Sequence, residues 1–501
     1  MQPMTRRQVL LLGGAGTAAI AAGAAGVWWT QATRQGVSGG ADFEQPPVLE
    51  SANGSLDVEL TAAPYTARIA GQEAFVLGYN GSLPGPTLVV APGDQINLTL
   101  TNHLAAPTNL HVHGLHVSPQ DNSDNVFVAV DPGEAFAYHY QLPADHPPGV
   151  YWYHPHHHGN VADQLFAGLY GAIIVQDPDP VVVTRERVLV ISDISLTADG
   201  SVAGADPMDT MMGREGNLVM VNGQVNPTLQ ARPHQRERWR IINACTSRYL
   251  HLELDDQQLE LLGIDAGRYP EPATVDEVVL TPGNRADVIV TASAGTSILR
   301  AVAVDRGGMG MMGGTGFGLA SPGQAEVPLA TFEVSGTPVQ ALDGVGQPSA
   351  PRDLRSETVT AKRELTFGMT MGMGGGMGMR HNTAASQSPG GSGMMDFTIN
   401  GAVFDPARVD ITAGAGTIEE WTLQNTSPMD HPVHLHVWPM QLIETQGTAV
   451  QEPAWQDVVN VPANSSVKMR IAFDTFVGKT VYHCHILDHE DLGMMGIIEV
   501  R

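Results

Sequence analysis

The sequence predicts an all-β protein built from repeated sandwich-like domains, and three observations support this prediction. Short segments of alternating apolar and polar residues, such as residues 95–100, are separated by turns rich in glycine, proline, aspartate and asparagine. Such a pattern is typical of a β-sandwich or β-barrel. The chain has 501 residues, more than one hydrophobic core normally serves, so roughly two to four domains are expected. A short motif also recurs three times, which indicates an internal repeat.

The repeated motif consists of an Asn-Gly pair followed by a strand that ends at an asparagine. Its copies start and end at these residues: Asn80 and Asn102, Asn222 and Asn243, and Asn400 and Asn425. The interval between the second and third copies is longer than the first, and the excess roughly matches a methionine-rich insertion at about residues 366–395. Together with linkers rich in proline and glycine, the repeat predicts three domains at residues 45–178, 182–340 and 355–501.

The first 30 residues are expected to be a targeting segment rather than part of the fold. Arg6 and Arg7 form a twin-arginine motif before an apolar stretch rich in glycine and alanine. This motif predicts export by the twin-arginine route to the periplasm, the cell envelope or the outside of the cell. Whether the leader is cleaved or stays as a membrane anchor is left open. The net charge of −26 argues against a nucleic-acid partner.

Paired histidines are the chemically most informative feature of the chain. They form four His-x-His pairs: His111 and His113, His154 and His156, His434 and His436, and His483 and His485. Cys484 lies inside the last pair. Because neighbouring side chains on a strand point to opposite faces, the cysteine and these two histidines should serve different centres. Two histidines, a cysteine and a weak axial methionine are the ligand set of blue copper. The tail therefore indicates electron transfer between copper centres, against the alternative of a chance His-rich terminus.

The repeat also predicts where the histidine pairs lie. The positions nine and eleven residues after the terminal asparagine hold His111 and His113 in the first domain, His434 and His436 in the third, and Leu252 and Leu254 in the second. Equivalent strand positions of the first and third domains therefore both hold histidines, and these histidines should face each other. We expect a copper cluster between these two domains, with the second domain as a spacer without copper.

At these motifs the chain resembles the multicopper oxidases, because all four copper motifs are present in the family's order. The resemblance implies three consecutive cupredoxin-like Greek-key β-sandwiches, four copper ions and dioxygen as the electron acceptor. It assigns the ligands as follows: His431, Cys484, His489 and Met494 to the type 1 copper; His111 and His434 to the type 2 copper; His113, His154, His156, His436, His483 and His485 to the type 3 pair. Asp124 and Glu490 match the family's proton-relay positions, although Asp124 also fits a turn cap.

Methionines indicate the reductant. Met369, Met371 and Met373 begin a run in which methionine alternates with glycine, a pattern expected of a flexible loop, since glycine disfavours packed strands and helices. Thioethers favour Cu(I), and the insertion is similar to that of the periplasmic cuprous oxidases of bacterial copper tolerance. Met429 matches a substrate-copper methionine of that subgroup, whereas Ser427 stands where its aspartate is expected.

The smaller methionine clusters and the complete ligand set bear on which function the chain has. Smaller methionine clusters comprise Met208, Met211 and Met212, and Met309, Met311 and Met312. They favour oxidation of Cu(I). We expect the enzyme to be a monomer that contacts a membrane only through its leader, if the leader is not cleaved. Laccase-type oxidation of small phenols or aromatic amines is the alternative. A copper-binding or envelope structural protein without turnover is the third possibility, and the complete ligand set disfavours it. Cys245 is expected to be a buried thiol.

Overall fold

The computed structural model describes residues 41–304, 306–307, 326–342, 344–345, 351–371 and 395–501. These residues form six β-sheets in three consecutive pairs, so the predicted all-β fold is confirmed. The leader at residues 1–30 lies outside the described residues. Within the described part of the chain, no helix has the length and hydrophobicity of a membrane-spanning segment.

Each pair of sheets forms one sandwich. The first sandwich has nine strands: β1 (Val48–Glu50), β2 (Ser55–Ile69), β3 (Gln72–Tyr79), β4 (Thr87–Val90), β5 (Gln95–Asn102), β6 (His111–His113), β7 (Ala135–Gln141), β8 (Gly149–His154) and β9 (Gly171–Val175). The second has eleven among its described residues: β10 (Arg185–Ile194), β11 (Leu218–Val221), β12 (Thr228–Ala231), β13 (Arg236–Asn243), β14 (Leu250–Leu254), β15 (Leu259–Ile264), β16 (Gly267–Val275), β17 (Val278–Leu280), β18 (Arg285–Thr291), β19 (Gly295–Val302) and β20 (Val327–Val334). The described part of the third also has eleven: β21 (Ala361–Met371), β22 (Met395–Ile399), β23 (Ile411–Ala413), β24 (Ile418–Asn425), β25 (His431–Leu435), β26 (Met440–Thr445), β27 (Thr448–Gln456), β28 (Val458–Val461), β29 (Ser466–Ala472), β30 (Gly478–Cys484) and β31 (Met495–Val500).

The second and third sandwiches have the same strand arrangement, and the first shares the central part of it. The sheet orders are β3-β2-β5-β7 with β1-β4-β9-β8-β6, β11-β10-β13-β18-β15-β16 with β12-β20-β19-β14-β17, and β22-β21-β24-β29-β26-β27 with β23-β31-β30-β25-β28. The parallel pairs β2–β5, β10–β13 and β21–β24 occupy equivalent places. Short helices α1 (Val161–Phe166), α2 (Pro207–Met212) and α3 (Leu487–Asp491), and a 3-10 helix at Leu354–Ser356, lie between strands.

The alternating segments form strands with one buried face. In β5 every second residue is buried, including Ile96, Leu98 and Leu100, because side chains alternate between the two faces of a strand. In each Asn-Gly pair of the repeat both residues have positive φ, as a type I′ turn requires.

The asparagine that ends each repeated strand has the same role in all three sandwiches. The Asn102 amide donates to the backbone carbonyls of Ala106 and Val130. Asn243 and Asn425 make the equivalent hydrogen bonds in the other two sandwiches. Each asparagine thus fixes the segment after its strand, and in the first and third sandwiches that segment leads to a His-x-His pair.

The second sandwich packs its core where the other two carry histidines. Leu252 and Leu254 lie on β14 and join a core cluster that includes Trp239. Cys245 lies in the same cluster, so its predicted burial is confirmed. Burial raises the pKa of its thiol well above the usual range, so Cys245 is an unreactive core residue.

The start of the methionine-rich insertion differs from the prediction. Met369 and Met371 lie on β21, which pairs with β24 on one side and β22 on the other, so the prediction that they belong to a loop is wrong. Pairing with two strands outweighs the local preference of the Gly-Met pattern. Met373 falls in residues 372–394, outside the described residues.

Asn243→Ala tests the structural role of the repeated asparagine. Asn243 is buried and makes three hydrogen bonds to backbone groups. Loss of these bonds should lower the free energy of unfolding by roughly 1–3 kcal/mol for each group left buried without a partner. Guanidinium unfolding measures this change, with Asn217→Ala on the surface as the control. Equal stability of the two variants would contradict the assigned role.

Candidate metal centres

Four strands bring the histidine pairs to the contact between the first and third sandwiches. β6 pairs with β8, so that His111 lies opposite His154. β25 pairs with β30, so that His434 lies opposite His483 and Val433 lies opposite Cys484. The alternation along β30 separates the cysteine from the histidine before it, as the sequence predicts. All eight paired histidines are buried.

Cys484, His431 and His489 form one group, here called the type 1 group. The Cys484 sulfur lies 3.5 Å from Nδ1 of His431 and 3.8 Å from Nδ1 of His489. Nε2 of His489 donates to the Met211 carbonyl at 3.1 Å. Because a carbonyl oxygen only accepts, Nδ1 of His489 is left with a free lone pair. The three donor atoms therefore converge on one point with the correct histidine tautomer.

Ser427 fixes the other histidine of the type 1 group. Its hydroxyl lies 2.8 Å from Nε2 of His431, and 2.9 Å from both the Asn425 side-chain oxygen and the Met429 carbonyl. With Nδ1 of His431 facing the Cys484 sulfur as a metal donor, Nε2 carries the ring proton and donates it to the hydroxyl, whose own proton goes to one of the other two acceptors. A neutral hydroxyl thus takes the place of the aspartate that the sequence comparison led us to expect. Asp430 does not replace it, because its carboxylate accepts from residues 460 and 463.

Met494 and Met495 occupy different environments. Met494 is fully buried in the apolar cluster that contains Cys484. Met495 packs instead with Val126 and Val481. Met494 is therefore the thioether on the side of the type 1 group, where an axial ligand is expected.

His111 and His434 face each other across the two sandwiches. Their Nε2 atoms lie 3.4 Å apart. The Nδ1 atom of His111 lies 2.9 Å from the Asp124 carboxylate, and Nδ1 of His434 donates to the Asp457 carbonyl at 2.7 Å. Each ring therefore presents Nε2 to the same space, the arrangement expected of a shared metal ion.

The other six histidines form two further sets. Nε2 of His483 lies 3.1 Å from Nε2 of His156 and 3.2 Å from Nε2 of His436, and these three residues form one candidate metal group. The second set consists of His113, His154 and His485. Nδ1 of His113 lies 3.4 Å from Nε2 of His154, and the ring of His485 is 4.9 Å and 5.7 Å from these two rings.

The protein environment suits neutral imidazole ligands for copper. Burial lowers the pKa of His154 and of His483 to about 3, so these rings are neutral and keep a free lone pair. Buried polar atoms normally have hydrogen-bond partners, yet neither ring nitrogen of His485 has one among the described residues. Burial also raises the pKa of the Cys484 thiol, so its thiolate requires a bound cation. Soft thiolate and imidazole donors are the set that copper prefers.

Asp124 and Glu490 each contact the histidine groups. Asp124 is buried and binds His111 and the Val112 amide rather than capping its own turn. Burial raises the pKa of its carboxyl to about 8. Glu490 is fully buried with one carboxylate oxygen 3.2 Å from Nδ1 of His483, and burial raises its pKa well above the usual range. Glu490 makes no hydrogen bond there among the described residues, since Nδ1 of His483 donates to the Cys484 carbonyl instead.

Two further residues that contact the histidine groups, Asp457 and Arg285, were not predicted from the sequence. A carboxylate oxygen of Asp457 lies 3.1 Å from Nε2 of His113, and its carbonyl accepts from His434. Arg285, at the start of β18 in the second sandwich, binds both carboxylate oxygens of Asp457 at 2.5 and 2.7 Å. Neither residue belongs to a His-x-His motif or to the repeat, so no local pattern could have identified them.

The methionines predicted to bind substrate copper lie in different environments. Met429 is 1% exposed and belongs to the apolar cluster around Cys484. Met369 is half-buried against the same cluster. The side chain of Met371 and all of Met373 lie outside the described part of the structure.

Comparisons with known proteins agree with the geometry. Three family models, each described as multicopper oxidase, match residues 61–180, 193–304 and 378–501. A multicopper oxidase from Campylobacter jejuni, described as a metallo-oxidase, superposes with a TM-score of 0.77 at 30% identity over 92% of this chain and 95% of that one. The multicopper oxidase mco of Staphylococcus haemolyticus (strain JCSC1435) is 26% identical over 85% of this chain and 83% of its own length. The laccase of Bacillus subtilis (strain 168) is 26% identical over 84% and 90%.

The chain therefore belongs to the multicopper oxidase family, and it is an oxidase with copper cofactors. The type 1 group and the histidine cluster would hold the copper, which would supply one-electron acceptance at the former and multi-electron reduction of dioxygen at the latter. The side chains of the protein hold the donors in place, keep them dry and fix their tautomers.

Cys484→Ser should abolish the intense blue absorption and turnover, because a hydroxyl cannot replace a thiolate as the charge-transfer ligand. The histidine cluster should still bind copper through its eight imidazoles. Visible absorption and metal analysis measure both effects. Cys245→Ala, which removes the other thiol, is the matched control and should keep the blue band. A blue Cys484→Ser protein would remove this cysteine from the site.

Met494→Leu should leave copper bound and raise the reduction potential of the type 1 centre, since a thioether donates electron density that an alkyl group does not. Met495→Leu should leave that potential unchanged, because Met495 packs elsewhere. Redox titration of the blue band measures both values. The assignment fails if only the Met495 variant shifts the potential.

Proposed function

We propose that this oxidase couples the one-electron oxidation of Cu(I) at the type 1 centre to the four-electron reduction of dioxygen to water at a trinuclear cluster. The enzyme would use four copper ions, and four Cu(I), one O2 and four protons would give four Cu(II) and two water molecules. The observation that carries the proposal is the position of the methionine-bearing segments, whose described anchors all lie at the type 1 group.

Two segments of the second sandwich meet the type 1 group. The carbonyl of Met211 on α2 accepts from His489. Gly307 pairs with Met429, two residues before the ligand His431. Residues 308–325, which contain the second small methionine cluster, follow directly and lie outside the described residues.

The third anchor is the β21–β22 pair. Phe397 on β22 stacks on the ring of His489 with centroids 4.0 Å apart, and Met369 lies opposite Phe397 on β21. The connection between these strands, residues 372–394, therefore starts and ends beside the type 1 group. Thioethers gathered there would raise the local concentration of Cu(I).

Laccase-type oxidation of phenols or aromatic amines is the second candidate, supported by the relative named as a laccase. Burial argues against it as the main activity. His489 is fully buried, and its Nε2 is bound to the Met211 carbonyl. A bulky phenol would have to donate its electron across α2 rather than by contact with the histidine ring. The complete ligand set argues against a structural protein without turnover.

Asp124 and Glu490 are proposed to carry protons to the cluster. They contact different parts of it, since Asp124 binds His111 while Glu490 lies beside His483 and His156. We also propose that the enzyme acts as a monomer after export to the periplasm or cell envelope. The twin-arginine motif supports the export route, and the export of folded proteins by this route suits a protein with preassembled copper centres.

Replacing residues 372–394 by an Asn-Gly turn should lower the rate of Cu(I) oxidation at low Cu(I) concentration by about tenfold, because soft ligands near the type 1 group are lost. The replacement is confined to these residues because β21 and β22 are paired up to Met371 and Met395. Oxidation of a bulky dimethoxyphenol should hold or rise, because access to the centre improves. Oxygen uptake measures both rates.

A length-matched variant separates chemistry from bulk. Replacing Met373, Met377, Met379 and Met394 by leucine keeps the segment but removes its thioethers, so only Cu(I) oxidation should fall. If the deletion lowers both activities equally in a folded protein, the segment does not select Cu(I). Laccase-type oxidation would then be the favoured function.

A further inference from the structure

Helix α2 of the second sandwich covers the type 1 group in the third. Its Met211 carbonyl accepts the hydrogen bond from Nε2 of His489 at 3.1 Å. Met212 packs against the apolar cluster that contains Cys484. A covalent path interrupted by one hydrogen bond therefore leads from the Met211 side chain to a ligand of the type 1 group.

Three of the six residues of α2 are methionines, Met208, Met211 and Met212. Residues three and four apart share one face of a helix, so these side chains lie on the same side. Met208 is 59% exposed and Met211 is half-buried. An exposed methionine contributes little to packing, but its thioether is a soft donor that prefers Cu(I). Solvent thus meets thioethers directly above the buried type 1 group.

Both ends of α2 are held in place. Asp206 caps the first turn, accepting from the backbone amides of Met208 and Asp209 at 2.7 and 2.8 Å. At the other end, the Arg306 guanidinium donates to the Met212 carbonyl at 2.8 Å and pairs with Glu215 at 3.1 Å. Arg306 is only 8% exposed. Such anchoring keeps the Met211 carbonyl on His489 despite the shortness of the helix.

We propose that α2 is the Cu(I) docking site of this enzyme, with Met208 and Met211 as the thioether ligands, and that the electron passes through the Met211 carbonyl to His489. The site deepens the proposed function and rests on it. Each bound Cu(I) gives up one electron and leaves as Cu(II), for which thioethers are poor ligands. Four such events supply the four electrons that, with four protons, reduce one O2 to two water molecules. Met429, with 1% exposure, is too buried to serve this purpose.

The test uses the copper-loaded enzyme and its Met208→Leu/Met211→Leu variant. Leucine preserves side-chain volume and helix propensity, so the fold and the blue band should be unchanged. Ag(I), a soft monovalent ion that is not oxidised, serves as the binding probe in isothermal titration calorimetry. The variant should lose one tight Ag(I) equivalent, and its KM for Cu(I) should rise by about tenfold. The turnover number and phenol oxidation should change little.

Met220→Leu is the matched control, because this methionine is buried in a separate apolar cluster between the first and second sandwiches. It should bind Ag(I) and Cu(I) as the unmodified enzyme does. A double variant that also keeps both properties would overturn the α2 site while leaving Cu(I) oxidation itself intact. An unmodified enzyme that binds Ag(I) at α2 but shows no Cu(I)-dependent oxygen uptake would overturn the proposed function and the electron-entry role together.

Discussion

The metal centres depend on one constraint, which is that every buried imidazole must keep a chosen ring nitrogen free. For several of these rings a fixed acceptor makes that choice by binding the other nitrogen. The Asp124 carboxylate does so for His111 and the Asp457 carbonyl for His434. The resulting Nε2 atoms meet across two sandwiches that are far apart in sequence. Without these acceptors, the buried rings would still be neutral, but either ring nitrogen could carry the proton. The free lone pairs would then not converge on one point.

The second sandwich acts as more than a spacer. Its own histidine positions are filled by leucines of the core, yet it reaches both groups of donors. Arg285 holds Asp457, which contacts His113 and His434. Breaking such a buried ion pair by removing one partner typically costs about 3–5 kcal/mol. The second sandwich therefore stabilises the histidine cluster, although we assign none of the copper ligands to it. Helix α2 in turn covers the type 1 group.

The sequence predicted those features that have a local pattern or a fixed spacing. Alternation predicted strands such as β5, and the repeated asparagines predicted their ends. The His-x-His pairs identified the residues that the structure brings together. Features that arise from contacts between distant segments were missed, such as the pairing of Arg285 with Asp457 or the Met211 carbonyl on His489. The prediction of a loop at Met369 was wrong for the same reason, because pairing with β24 and β22 makes that segment a strand.

Anomalous X-ray diffraction at the copper absorption edge, on crystals of the copper-loaded protein, tests the central claim most directly. Copper peaks should appear at Cys484, His431 and His489 and, as a close group of three, among the eight paired histidines between the first and third sandwiches. Copper that occupies only the Cys484 group, or that lies within the second sandwich in place of the shared cluster, would contradict the account.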